Sequence, residues 1–177
     1  MNYDPKIHHR RSIRLEGYDY SQEGMYFVTI CTLNKNCIFG NIINDEMVLN
    51  ETGTIAYNEW LQTPFIRKSI DLDVFVVMPN HIHGIIIIRG GECNGGEYEE
   101  GVCNTPLHSQ TIGSIVRGYK SSVTGKINAL HNTTGVAVWQ KNYWEHIIRD
   151  LQTYTTISEY IINNPINWST DKLMHPY

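Results

Sequence analysis

Residues 74 to 88, Val-Phe-Val-Val-Met-Pro-Asn-His-Ile-His-Gly-Ile-Ile-Ile-Ile, hold two apolar runs of strand length broken at Met78-Pro79-Asn80. They predict two strands joined by a tight turn. Residues 25 to 33, Met-Tyr-Phe-Val-Thr-Ile-Cys-Thr-Leu, are rich in β-branched and aromatic side chains and predict another strand. The stretch from Cys37 to Leu49 predicts a small hairpin turning at Asn44-Asp45-Glu46. From Thr52, the residues Ile55, Ala56, Trp60 and Leu61 recur at helical spacing, in a helix that must stop before Pro64. From Thr111, the apolar positions Ile112, Ile115, Val116, Tyr119, Val123, Ile127 and Leu130 step by three or four, which predicts a helix laid on a sheet with Tyr119 in the core. Val136 to Ile148 predicts a further strand. Asp150 is placed to cap a last helix with Leu151, Tyr154, Ile157 and Ile161 as its apolar stripe, ended by Pro165.

The order strand, helix, strand, strand, helix, strand is that of the split βαβ, ferredoxin-like arrangement. The expected class is therefore α+β: an antiparallel βαββαβ sheet with helices on one face, followed by a C-terminal helix. No repeat or linker divides the chain, so residues 1–177 are expected to form one domain, with 1–24 as a basic arm and 25–168 as the core. Residues 89 to 108 contain five of the glycines and the Glu92, Glu97, Glu99, Glu100 cluster, and are expected to form a solvated loop.

At 177 residues and 41% hydrophobic, the chain can bury a core of its own. It has no apolar run of about 18 residues, so no membrane helix is expected. Its N-terminus lacks the apolar segment of a secretory signal, so a cytoplasmic location is expected. Cys31, Cys37, Cys93 and Cys103 fit no standard zinc spacing and are expected to be ordinary thiols. The net charge is −4, which argues against a nonspecific nucleic-acid coat, but its distribution is uneven. Lys6, Arg10, Arg11 and Arg14 crowd the first 14 residues, and from Gly101 to Trp144 the only charged side chains are Arg117, Lys120, Lys126 and Lys141. A local basic face for an anionic partner is compatible with the acidic total.

Because side chains alternate along a strand, His81 and His83 share one face while Ile82 points to the other. Two imidazoles side by side are the beginning of a divalent metal site, although a core or a solvated histidine gives the same spacing. Near the C-terminus, Tyr160 and Asn164 lie about 40° apart on one side of the last helix. Tyrosine is a weak nucleophile at its free pKa of about 10, so a catalytic tyrosine needs a neighbouring cation or base. A half-buried aromatic wedged on the sheet is the competing account.

Three blocks resemble the single-tyrosine HUH transposases, above all the REP-associated tyrosine transposases, their domesticated bacterial branch. The blocks are Val76-Val77-Met78-Pro79-Asn80-His81-Ile82-His83-Gly84, the segment from Val138 to Asp150, and Glu159-Tyr160-Ile161-Ile162-Asn163-Asn164-Pro165. The likeness runs from about Tyr26 to Trp168. It implies a bacterial cytoplasmic nickase and strand transferase acting on single-stranded DNA near hairpin, palindromic elements, as a monomer or homodimer. Tyr160 would be the nucleophile, staying on the 5′ end, and His81 and His83 would hold a divalent metal, Mg or Mn. Asn164 would supply the third ligand where insertion-sequence relatives carry glutamine. His146 would support a ligand from behind, and Arg10, Arg11, Arg117, Lys120 and Lys141 would contact DNA. Trp139, Tyr143 and Trp144 could stack on unpaired bases or pack in the core. Two alternatives remain at this level: a noncatalytic hairpin-binding module of the same fold, and an unrelated zinc hydrolase built on the two histidines.

Overall fold

The computed structural model describes residues 22–89 and 111–174. Strand β1 (Gly24–Cys31) is followed by a hairpin of β2 (Gly40–Ile43) and β3 (Glu46–Leu49), helix α1 (Glu51–Leu61) and a short α2 (Thr63–Ile66). Strands β4 (Ile70–Met78) and β5 (His81–Ile88), helix α3 (Ile112–Leu130), strand β6 (Trp144–Ile148) and helix α4 (Leu151–Ile162) complete the order. Four strands form one sheet in the order β4-β5-β1-β6, and every neighbouring pair is antiparallel. With the hairpin set aside, this is the ferredoxin-like βαββαβ sheet expected from the pattern.

Local chemistry accounts for the boundaries. Asn44 and Asp45 both have positive φ, the conformation that a two-residue hairpin turn demands, so β2 and β3 pair directly across them. Asn50 caps α1 by accepting from Gly53 N at 2.9 Å, Thr111 caps α3 from Ser114 N at 3.2 Å, and Asp150 caps α4 from Thr153 N at 2.8 Å. Helix α1 stops before Pro64 as expected, but Pro64 also starts the four-residue α2, where a proline costs no hydrogen bond. The strand expected over residues 136 to 148 is confined to its last five positions. Before them the backbone pairs only through an isolated bridge between Trp139 and Thr32, the residue after β1, with Gln140 N donating to Cys31 O at 3.0 Å.

Helices α1 and α3 cover one face of the sheet. Val28, Ile30, Ile70, Val77, Ile82 and Ile86 meet Trp60, Ile115, Tyr119 and Val123 there in one continuous apolar cluster. Each such fully buried side chain contributes about 1.5–3 kcal/mol. Gly84 belongs to this face, because a Cβ on it would lie 2.6 Å from Trp60 Cζ2 and 3.0 Å from Phe75 Cβ. The irregularity in β4 between Leu72 and Phe75 keeps the alternation in phase with this core. Ile70 and Leu72 face it before the bulge, Phe75 and Val77 after it.

Helix α4 lies on the opposite face over a smaller cluster of Phe27, Ile85, Ile148 and Ile161, flanked by Val74, Val76, Tyr154 and Ile157. Tyr154 Oη donates to Asp73 Oδ2 at 2.8 Å and fastens the helix to β4. Three expected apolar positions do not pack: Leu151 is 77% exposed in the first turn of α4, and Leu130 and Leu61, at the ends of α3 and α1, are 38% and 37% exposed. All three sit at a helix end. Among the described residues no helix is long and apolar enough to cross a membrane. Cys31 and Cys37 are free thiols, while Cys93, Cys103, most of the basic arm and nearly all of the glycine-rich acidic stretch lie outside the described residues.

Candidate active site

His81 and His83 open β5 on its α4-facing side, opposite Cys31 and Thr29 of β1. Both are buried, and their rings lie 4.4 Å apart between centroids. The tautomer of His81 follows from its neighbour. Asn80 Nδ2 donates to the carbonyls of Lys35 at 3.1 Å and Leu173 at 2.7 Å, so the amide oxygen is the atom turned toward the imidazole. That oxygen can only accept, so His81 Nδ1 donates to it at 2.7 Å and Nε2 carries the lone pair. His83 Nδ1 bonds Thr29 Oγ1 at 2.8 Å, and its Nε2 faces the Tyr160 hydroxyl at 3.1 Å.

Tyr160 comes from α4 of the same chain and is 45% exposed. Its ring stands edge-on to Phe27, with centroids 6.2 Å apart. Asn164 lies just past the end of α4 and is buried, donating from Nδ2 to Asp171 Oδ2 at 3.3 Å. One ligand atom each from His81, His83 and Asp171 fall within 4.8 Å of one another. His81 Nε2 and Asn164 Oδ1 are both buried with no hydrogen-bond partner among the described residues. Buried acceptors are normally satisfied, and here two of them have no donor in the neighbourhood of a carboxylate. A divalent cation matches that donor set, and the Asn80 and Thr29 bonds hold the two imidazoles as second partners commonly hold metal-bound histidines.

The electrostatics agree. Burial pushes His81 down to about 4, against the opposing pull of the Asp171 carboxylate and the Asn164 amide. Burial, then the neighbouring His81, pushes His83 well below the usual histidine value, so both rings are neutral at pH 7. Burial, then Asp171, raises the Tyr160 phenol, while the bond to Asn164 lowers it. The phenol is therefore held in its neutral form in this site.

A cleft of about 870 Å³ opens in front of this group, lined among others by Phe27, Thr29, His83, Trp144, Tyr160 and Asp171. The other expected site residues are spread more widely. His146 is exposed on β6 and stacks on Trp144, with planes 4° apart and centroids 5.9 Å apart. Arg117 and Lys141 are exposed. Lys120 Nζ donates to the carbonyls of Gln140, Lys141 and Asn142, which bind it to the loop at the rim of the cleft, and burial lowers it to about 8. Trp139 is core, with Nε1 donating to Lys120 O at 3.2 Å, Tyr143 packs against the core, and Trp144 is 41% exposed. Arg10 and Arg11 lie outside the described residues.

The pattern reading missed three partners. Thr29 carried a faint signal, a hydroxyl on the apolar alternation of β1. Asn80 sat in view between Pro79 and His81 without a role. Asp171, in the polar Ser169-Thr170-Asp171-Lys172 tail, carried no spacing signal and joins the site only through the chain path after Pro165.

No known protein-family model matches the chain. A REP-associated tyrosine transposase solved bound to a REP hairpin is similar in structure, with a TM-score of 0.57 and 17% sequence identity, covering 90% of this chain and 77% of that one. The likeness is one of fold. An uncharacterized protein of Haemophilus influenzae strain Rd is 48% identical over 182 residues, covering 97% of this chain and 96% of the relative. The chain belongs to the family of that Haemophilus influenzae protein, built on the fold seen in the REP-associated tyrosine transposase.

Proposed function

We propose that the protein is a metal-dependent nickase and strand transferase for single-stranded DNA beside hairpins, with Tyr160 as nucleophile and His81 and His83 as metal ligands. The observation that carries the reading is the Tyr160 hydroxyl, 3.1 Å from His83 Nε2 on a half-exposed side chain that lines a cleft of about 870 Å³. The hairpin in the similar solved structure supports this class of substrate.

In the reaction the Tyr160 oxygen bonds to the phosphorus of one phosphodiester and the bond from phosphorus to O3′ breaks. The proton lost by the phenol is matched by the one gained by the departing 3′ oxygen. The products are a 5′-phosphotyrosine and a free 3′-hydroxyl, and attack by a 3′-hydroxyl on the phosphotyrosine reverses both changes. Mg or Mn, held by the histidines, would polarise a phosphoryl oxygen and offset the charge developing there. The chain's own residues do the rest: Asn80 and Thr29 fix the imidazoles, Phe27 holds the tyrosine ring edge-on, and α4 is fastened to its own sheet through Tyr154 and Asp73. Trp144 and His146 offer stacked aromatic surface to unpaired bases, and Arg117, Lys141 and the basic arm with Arg10 and Arg11 offer charge to the backbone.

Incubating the protein with Mg or Mn and labelled hairpin-flanked single-stranded DNA should give a protein-linked label that Tyr160→Phe does not form. Cleavage by Tyr160→Phe at the parent rate would end the proposal. A zinc hydrolase reading draws on the same two histidines and Asp171, and it predicts free products with no dependence on Tyr160.

A further inference from the structure

We propose that Asp171 is the anionic ligand of the cation held by His81 and His83, and that this cation and the strap of residues 171–174 order one another. The inference rests on the metal-site part of the reading above and not on its DNA chemistry.

Three observations lead there. First, the acceptors converge: His81 Nε2 and Asn164 Oδ1 are buried without partners, and a carboxylate oxygen of Asp171 lies within 4.8 Å of both histidine ligand atoms. Asp171 is the acid of that cluster among the described residues, and hard divalent cations prefer a carboxylate to an amide oxygen. Asn164, one turn after the tyrosine, then serves chiefly to orient Asp171 through its Nδ2 and to offer its oxygen as a further donor.

Second, the carboxylate is preset by its own strap. Leu173 N donates to Asp171 Oδ1 at 2.7 Å, Met174 N to Asp171 O at 3.0 Å, and Asp171 N to Trp168 O at 3.1 Å. Third, the strap is tied to the groups that set the histidine. Asn80 Nδ2 donates to Leu173 O at 2.7 Å, and Lys35 Nζ to Lys172 O at 3.3 Å. The same Asn80 amide holds His81 with Nε2 free to ligate. If the strap lifts away, Asn80 loses one of the two acceptors that fix its orientation, and the site loses its carboxylate as well.

Cation binding and strap order are therefore linked, and the linkage is reciprocal. Asp171, Lys172 and Leu173 also line the cleft, so the cation would complete one of its walls as well as charge its floor.

The test uses the full chain without DNA. Titration with Mn, followed by the paramagnetic resonance signal of the free ion, should show binding by the parent that is weakened about tenfold or more in Asp171→Asn. That variant keeps an acceptor for Leu173 N. Asn164→Ala should lose less, and Asp171→Glu should recover part of the affinity. In parallel, hydrogen exchange at the Leu173 and Met174 amides should slow when Mn is added to the parent, and should not respond in His81→Ala. Equal Mn affinity in the parent and Asp171→Asn would overturn the proposal, as would strap amides in the parent that exchange at one rate with and without Mn. A chain that binds Mn through Asp171 yet forms no DNA adduct would end the nuclease reading and leave this inference standing.

Discussion

The two faces of one sheet are built from alternate residues of the same strands and do different work. Toward α1 and α3, Val28, Ile30, Ile82 and Ile86 pack against Trp60, Tyr119 and Val123 in an apolar layer. Toward α4, apolar packing holds only one end, around Phe27, Ile85, Ile148 and Ile161. The other end buries Thr29, His81, His83 and Asn164. Moving one residue along β5, from Ile82 to His83, crosses from the layer that stabilises the fold to the layer that leaves lone pairs for a ligand. A buried polar end is costly unless its groups are satisfied, and its presence opposite a well-packed core is what singles it out as the candidate site.

Substitutions can break this division or sharpen it. Trp60→Ala should destabilise by about 3–5 kcal/mol, because it removes the largest fully buried side chain among the described residues of the core face. Denaturant midpoints measure this, and the His81, His83 and Asp171 cluster should be untouched in whatever fraction remains folded. Gly84→Ala lies within the His-Ile-His-Gly run but should act as a core mutation, costing about 1–3 kcal/mol by overpacking Trp60 and Phe75. A larger loss of Mn affinity than of stability in this variant would show that the faces are not separable.

Acid should act on the other face. The folded value of His81, about 4, lies below its ordinary value of 6.5, so the fold favours the neutral ring. Its contribution to stability is fully present above pH 6.5 and is lost as pH falls from there toward 4, and the depressed His83 adds in the same direction. The midpoint of metal-free parent should therefore fall more steeply over that window than the midpoint of His81→Gln. Parallel curves would contradict the buried neutral pair. The smallest expected effect on stability is Tyr160→Phe, within about 0.5 kcal/mol, since the hydroxyl is half exposed.

The sequence pattern and the structure agree where periodicity is strict. The α3 positions from Ile112 to Ile127 are all on its buried side, and the two halves of the Val74 to Ile88 run are β4 and β5. They part at ends and edges. Leu151 reads as stripe but sits in the exposed first turn of α4, and of the expected strand from Val136 only Trp144 to Ile148 is ladder, because the chain before it is committed to Lys120 and to the single bridge at Thr32. In the candidate site, the shared face of His81 and His83 was legible because a strand alternates, and Tyr160 lies on the last helix as its pattern predicts; Asn164 does not, because α4 ends at Ile162 and the residue before Pro165 is pushed out of helical geometry. Asp171 was not legible, because no period links a tail residue to a strand 90 positions earlier, and only the turn after Pro165 brings it back. Two of the four basic residues of the acid-free stretch were misleading as a free cationic face, since Lys120 is bound to loop carbonyls and Lys126 to Glu59.

The proposed chemistry joins Tyr160 covalently to DNA. The most direct measurement is peptide mapping by mass spectrometry after Mn-dependent reaction with a hairpin-flanked single strand and nuclease trimming. The expected result is a 5′-phosphonucleotide on Tyr160 and on none of the other ten of the chain's 11 tyrosines. An adduct on a different residue, or cleaved DNA with no adduct on any residue, would contradict it.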